Sequence, residues 1–387
     1  MAFDFATPVE RRAPEGQYAS QKWHRYAADV LPLWVADMDF HSPPAVIDAL
    51  QRRVAHGVYG YGEVPATLSE ALCQWSAHHY AWSIEPEWQQ WLPGVVPALH
   101  FAAMALTQPG EGVLTIAPIY PPFLAVAERT GRLAQQAMLA EPAAPGEPWR
   151  LDIEALEAAI TPQTRLLLWC HPHNPTGRVW TLQELEQLAA LVERHDLWVV
   201  SDELHCDLLL DEGARHRPLA ALFPELAKRT ITLWAPSKTF NLAGLTSACA
   251  VIPDPALRHR FAEATKGFLP DGNVLGLVAA EAAYCEGEPW RQALLDVLRR
   301  HRTALEARVA TWPGVSLSAP ESTYLAWLDM RDAGLGETPA QTLLEKAGVA
   351  LSEGAAFGCP GFVRLNFGTT ASQLEAALSR MDALLKA

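Results

Sequence analysis

Five short, largely apolar runs constrain this chain most: Val113–Ile116, Leu166–Trp169, Leu197–Val200, Ile231–Trp234 and Ala248–Ile252. Each is too brief for an ordinary helix and lacks an alternating polar face. Such runs suit central strands of a sheet that helices cover on both sides. Amphipathic helical runs alternate with them, which marks an α/β layer fold. In sheets of this kind ligands collect beyond the carboxyl ends of the strands. Four of the runs lead into polar or proline-rich clusters: Pro118-Ile119-Tyr120-Pro121-Pro122, His171-Pro172-His173-Asn174-Pro175-Thr176-Gly177, Ser201-Asp202-Glu203-Leu204-His205 and Pro236-Ser237-Lys238-Thr239. That repeated placement points to one shared site.

The helices announce themselves through caps and stripes. Ser42 is placed to cap a helix that opens on Pro43-Pro44, carries Val46, Ile47, Leu50 and Val54 on one face and stops at Gly57. Thr181 and Glu184 have capping-box spacing ahead of Leu182, Leu185, Leu188 and Val192. The Ala/Pro-rich stretch Glu141–Pro148 reads as a surface loop. After about residue 285 the pattern changes. A long helical run carries Leu294, Leu298, Leu305 and Val309, and alternating strands follow at Tyr324–Leu328 and Val363–Phe367. We expect a large domain over residues 45–285 and a smaller α+β domain made of 1–44 and 286–387.

Composition narrows the function classes. The 387 residues are 50% hydrophobic and 19% charged, as in globular proteins, with a net charge of −14. Broad binding to nucleic acid or anionic lipid needs a cationic surface, so neither partner is expected. The longest apolar stretch, Ala98–Leu106, falls far short of the ~18 residues that cross a membrane. The basic n-region and apolar core of a secretory signal are missing. The six cysteines are scattered without a Cys-x-x-Cys spacing, which reads as reduced thiols in a cytoplasmic protein. No metal site is assigned, since His78-His79 and His171/His173 lack partner spacing.

Chemistry concentrates on a few residues. Lysine occurs at only six positions, and Lys238 alone sits at a strand end among the other clusters. A lysine is ordinarily a solvated surface residue, but a desolvated one has a lowered pKa and becomes a competent amine nucleophile. Asp202 ends another strand, where a cap would be the ordinary reading. Asn174 could serve only a turn. Gly94-Val95-Val96-Pro97 precedes the apolar helix Ala98–Leu106 and offers a natural phosphate seat. In Val363-Arg364-Leu365-Asn366-Phe367, alternation puts Arg364 and Asn366 opposite three apolar residues. Taken alone, Arg364 would be a solvent-facing strand residue.

Together these motifs, in this order, resemble the pyridoxal-phosphate (PLP) enzymes of the aspartate aminotransferase fold, within the class I/II aminotransferase family. The resemblance is stronger still to the cystathionine β-lyase/C–S lyase subgroup of MalY/PatB type. Four segments carry it: Lys22-Trp23-His24-Arg25-Tyr26, Leu31 to Phe40 with its Val-Ala-Asp-Met-Asp-Phe ending, His56-Gly57-Val58-Tyr59-Gly60-Tyr61, and Ser322 to Asp329. The resemblance implies PLP fold type I: a mixed, mostly parallel sheet covered by helices, plus a smaller α+β domain. It also implies residue roles. Lys238 would bond the cofactor covalently, and Asp202 would keep the pyridine nitrogen protonated. Asn174 and His205 would meet the phenolic oxygen, and Tyr120 would stack on the ring. Val95, Val96 and Ser237 would hold phosphate, with Tyr61 reaching it from the neighbouring subunit of a homodimer. Arg364 would bind the substrate carboxylate. Two positions depart from the pattern. Ala235 stands where many relatives have a phosphate-binding Ser, and Thr246 where they often have an Arg.

The expected activity is β-elimination from a small amino-acid thioether, cystathionine or another cysteine S-conjugate, giving a thiol, pyruvate and ammonia. Two rivals stay open: an aminotransferase on the same fold, and a PLP-binding regulatory protein acting through a protein partner.

Overall fold

The computed structural model describes residues 3–11, 20–270 and 272–387. Of the N-terminal segment assigned to the smaller domain, residues 1, 2 and 12–19 lie outside the described residues.

All five apolar runs are strands of one seven-stranded sheet. Its order is Gln89–Leu92, Ala248–Val251, Thr230–Trp234, Trp198–Asp202, Thr164–Cys170, Gly112–Ala117 and Leu133–Met138. The last five are mutually parallel, while Ala248–Val251 runs against both of its neighbours. The sheet is therefore mixed and mostly parallel. Its inner strands alternate between two hydrophobic layers. Leu166 and Leu168 pack with Leu99, Ala102 and Leu106 of helix Val95–Leu106. Leu167 and Trp169 pack on the opposite face with Leu185, Leu188 and Val192 of helix Leu182–Arg194. Burial on both faces is why these strands show no polar alternation.

The two edge strands, Gln89–Leu92 and Leu133–Met138, were not legible as apolar runs. Edge positions face water, and Leu133 and Met138 are 48% and 39% exposed. A four-stranded antiparallel sheet follows, ordered Ser352–Glu353, Phe362–Asn366, Leu325–Asp329 and Ser316–Leu317. The long helix Glu288–Val309 buries Leu294, Leu298, Leu305 and Val309 as expected. A short parallel pairing of Leu31–Pro32 with Val349–Ala350 ties the N-terminal segment to this region.

Local expectations fare unevenly. Gly57 closes helix Pro44–His56 in the left-handed region, at φ 76°. Ser42 does not cap that helix: Pro43 holds the cap position, and the Ser42 hydroxyl instead donates to the Asn241 carbonyl at 3.2 Å. Val54 and Leu182, placed on buried stripes by spacing, are exposed at 51% and 43%. Both sit near helix ends, where the stripe has turned off the core.

The capping box is present as read. The Glu184 N–H donates to Thr181 Oγ1 at 3.2 Å, and the Thr181 N–H donates to Glu184 Oε2 at 2.8 Å. Thr181→Ala is expected to cost about 1 kcal/mol. The check is a lower urea midpoint with an unchanged m-value; an unmoved midpoint would show that the remaining Glu184–Arg178 ion pair, 2.8 Å long, fixes this helix start by itself.

Candidate active site

The sheet delivers four side chains to one end. Tyr120 follows strand Gly112–Ala117, Asn174 follows Thr164–Cys170, Asp202 ends Trp198–Asp202, and Lys238 follows Thr230–Trp234. All four lie beyond the carboxyl ends of parallel strands and line one cavity of about 320 Å³. Val95, Val96, His205 and Ser237 line it as well, and Arg364 enters from the four-stranded sheet. Of the residues to which the resemblance gives a cofactor or substrate role, Tyr61 alone stands apart. It does not line this cavity and is 99% exposed.

Burial sets the electrostatics. Asp202 is 6% exposed, and its carboxyl is pushed up to about 7, chiefly by loss of solvation and then by neighbouring Glu203. The Leu204 N–H, donating to Oδ1 at 3.1 Å, opposes that rise, as does the Lys238 charge. Lys238 is lowered to about 8, first by desolvation and then by Arg364. Its Nζ donates to the Ala36 carbonyl at 2.7 Å. Arg364 is buried, not solvent-facing: its Nη1 donates to Asn174 Oδ1 at 3.0 Å and its Nη2 to the Trp34 carbonyl at 3.1 Å. Its guanidinium also lies 4.8 Å from the centre of the Phe357 ring. His205 is held neutral, lowered to about 3 by burial and by the nearby Lys238 and Arg364 charges.

Three buried polar atoms around this cavity have no partner among the described residues: His205 Nδ1, Arg364 Nε and Ser247 Oγ. Buried donors and acceptors in folded proteins are nearly always satisfied, so each marks a place for a ligand atom. The N-terminus of the 12-residue helix Val95–Leu106 adds the free amides of Val95 and Val96; Pro97 has none to give. An amine, a carboxylate, an aromatic ring and a helix terminus around one cavity fit the aldehyde, ring nitrogen, ring face and phosphate of PLP.

Sequence reasoning missed several lining residues. Val35 and Ala36 belong to an irregular segment with no periodic signal, and Ser247 had no motif beyond its place beside Thr246. His171 and His173 lie outside the cavity: His171 packs on His216, and His173 Nδ1 meets Thr176 Oγ1 at 2.8 Å.

These shifts carry a stability consequence in the cofactor-free chain. Asp202 is raised on folding, so its contribution is fully present below the ordinary carboxylate pKa and is lost as pH rises toward about 7. Lys238 is lowered, so its contribution is present above the ordinary amine pKa and is lost as pH falls toward about 8. Both costs are in force between those values. Asp202→Asn apoprotein should therefore be more stable than wild type at pH 8, with the gain shrinking as pH falls below about 7 and gone below the ordinary carboxylate pKa. Urea midpoints across pH check this; a gain independent of pH would refute it.

The aminotransferase class I and II family matches residues 28–381. The cystathionine β-lyase PatB of Bacillus subtilis is 37% identical, over 95% of this chain and 96% of that protein. The solved structure of OvoB is 43% identical with a TM-score of 0.94, each chain covered in full. Cystalysin from Treponema denticola, solved with a pyridoxal 5'-phosphate cofactor, is 31% identical with a TM-score of 0.93, over 100% of this chain and 99% of its own. With this cavity and these matches along nearly its whole length, the chain belongs to the class I and II aminotransferase family.

Proposed function

We propose that this chain is a PLP-dependent carbon–sulfur β-lyase that cleaves cystathionine or other cysteine S-conjugates to a thiol, pyruvate and ammonia. The observation that carries the reading is the cavity that gathers Lys238, Asp202 and Arg364, in a chain 37% identical to a cystathionine β-lyase along its length. Bound PLP supplies an electron sink for a carbanion at the substrate Cα.

The chain's residues then have distinct tasks. Lys238 would hold the cofactor and would take the Cα proton; an amine lowered to about 8 suits proton exchange near neutral pH. Asp202 would pair with the ring nitrogen, and a cation there would favour its ionised form. Asn174 and His205 would hold the phenolic oxygen, and Tyr120 would cover the ring. Val95, Val96 and Ser237 would hold phosphate, and the unpartnered Ser247 hydroxyl would join them where Ala235 and Thr246 offer less than their counterparts in relatives. Arg364 forks onto the substrate carboxylate, held in place by Asn174. The sulfur leaves Cβ with the bonding pair and is protonated to the thiol. The three-carbon remainder takes up water and ends as pyruvate and ammonia.

Two domains, 45–285 and 1–44 with 286–387, meet at this cavity in our reading, which sets Arg364 against Lys238. The working unit is a cytoplasmic homodimer with shared sites. Supporting it is the exposed stretch Val54, Val58, Tyr59, Tyr61 and Val64, between 38% and 99% accessible. No helix among the described residues is long and apolar enough to cross a membrane, and all six cysteines are free thiols.

Incubation with cystathionine, assayed separately for pyruvate plus thiol and for keto-acid-dependent amino transfer, separates this reading from an aminotransferase. Absence of both products would favour a regulatory protein. Borohydride reduction, which locks the cofactor onto its lysine, should place the label on Lys238, and Lys238→Ala should abolish turnover. A label on Lys266 would sink the assignment. Asp202→Asn is expected to lower the rate ~10²–10³-fold while cofactor binding weakens less; near-normal turnover would show that another group protonates the ring.

The shared site predicts complementation. Tyr61→Phe should impair mildly and Lys238→Ala wholly. In mixed heterodimers both lesions fall in one site, leaving the other intact, so about half of wild-type activity per heterodimer returns. If Tyr61 serves its own chain, activity could not exceed that of Tyr61→Phe sites.

A further inference from the structure

The segment Leu33–Phe40 passes between the two sheets without regular structure. The Asp37 N–H donates to the Val35 carbonyl at 3.0 Å, closing a tight turn centred on Ala36. Asn366 spans this turn. Its Nδ2 donates to the Val35 carbonyl at 2.6 Å and to the Asp37 carbonyl at 2.7 Å, and its Oδ1 accepts from the Gly368 N–H at 2.7 Å. The residue is wholly buried, so its amide rotation is fixed by three bonds. The carbonyl at the tip of the turn, that of Ala36, receives Lys238 Nζ at 2.7 Å and the Tyr324 hydroxyl at 3.1 Å.

We propose that the Ala36 carbonyl is the acceptor on which the Lys238 amine rests whenever it is not bonded to cofactor, and that Asn366 is the positioning residue that holds this carbonyl in place. The proposal rests on the reading of Lys238 as the cofactor lysine. A lysine side chain has four flexible carbons, and a free amine at its end has no direction of its own. Donating one N–H to a fixed carbonyl orients the lone pair, which must point at the substrate Cα proton for transfer. Asn366 grips the carbonyls on either side of Ala36 and leaves the Ala36 oxygen to the lysine and the Tyr324 hydroxyl. It touches neither reacting atom; it acts by setting where the acceptor stands. A displacement of ~1 Å in such an arrangement is enough to cost up to 10²-fold in rate.

Asn366→Ala removes both grips. The folded, PLP-loaded variant should show kcat lowered about tenfold with KM changed less than about threefold. The primary isotope effect on a Cα-deuterated substrate should rise, because proton transfer has become slower relative to other steps. A merely structural asparagine would lower the melting temperature and leave kcat and the isotope effect of the folded variant at wild-type values; that result overturns the proposal. So does a loss expressed in KM alone, which would place the effect on Arg364. A second measurement needs no variant. In crystals of the wild-type holoenzyme soaked with aminooxyacetate, which condenses with the cofactor aldehyde and sets the lysine free, Lys238 Nζ should lie within about 3.2 Å of the Ala36 oxygen. Nζ found on another acceptor overturns the proposal while leaving the lyase reading intact. Borohydride label on a different lysine defeats the lyase reading itself.

Discussion

Gathering the buried Asp202 and Arg364 and the half-buried Lys238 around one cavity is the constraint on which the rest of this structure turns. Each loses solvation, and each is pushed toward its neutral form: Asp202 up to about 7, Lys238 down to about 8, Arg364 down to about 10. A buried charge with no partner costs several kcal/mol, so the fold must supply fixed dipoles in place of water. It does so with backbone and amide groups: the Leu204 N–H for Asp202, the Ala36 carbonyl for Lys238, and the Trp34 carbonyl with Asn174 for Arg364. These groups are held by elements that have no freedom to follow the charge, which is what preorganisation requires.

The layers explain that rigidity. Strands Thr164–Cys170 and Trp198–Asp202 are paired in register, with Cys170 opposite Asp202, and are sandwiched between two apolar clusters. Their ends cannot slide without exposing Leu166 to Trp169 or Val199 and Val200. Arg364 reaches the same point from a different sheet, where Trp327 lies opposite it on the neighbouring strand. The N-terminal segment closes the gap between the two sheets through Asn241 and Asn366. Asn241 Oδ1 accepts from the Met38 N–H at 3.0 Å, and its Nδ2 donates to the Phe40 carbonyl at 2.9 Å.

Much of this was legible in the sequence, for physical reasons that differ by residue. Tyr120, Asn174, Asp202 and Lys238 could be found because a buried strand leaves an apolar run, and the polar residue after it marks the strand end. Arg364 and Asn366 were visible as an alternation, but alternation tells only that two faces differ. It does not tell that the second face is covered, and here the segment Trp34–Asp37 covers it. That segment carries part of the family resemblance but no periodicity that would show it as a cover, because its bonds run to side chains distant in sequence. Edge strands Gln89–Leu92 and Leu133–Met138 escaped because half-exposed strands need no apolar run. Ser42 followed a sound capping rule, yet Pro43 takes the cap position and the Ser42 hydroxyl donates instead to the Asn241 carbonyl across the fold.

Two pairs of like residues show how partner number separates structural charges from chemical ones. Asp202 and Glu203 are adjacent and both buried, and composition alone gives neither precedence. Glu203 accepts from Ser201 Oγ at 2.9 Å, the Leu219 N–H at 3.2 Å and Trp234 Nε1 at 3.2 Å, and pairs with His216 Nε2 at 2.7 Å. Its lone pairs are spent inside the fold. Asp202 has the single Leu204 N–H and faces the cavity. The same contrast divides the lysines. Lys22 is the more deeply buried of the two, and its Nζ is bound to Asp39 Oδ2 at 2.8 Å and to the Asp37 carbonyl at 3.1 Å. Its charge is neutralised where it stands. Among the described residues Lys238 has one neutral acceptor and no ion pair within bonding reach, so its amine keeps the capacity to change both charge and partner. A buried charge whose bonds are all made holds the fold together; one left short of partners is free to meet a ligand. By that measure Asp202 and Lys238 are the pair that this fold leaves open for chemistry.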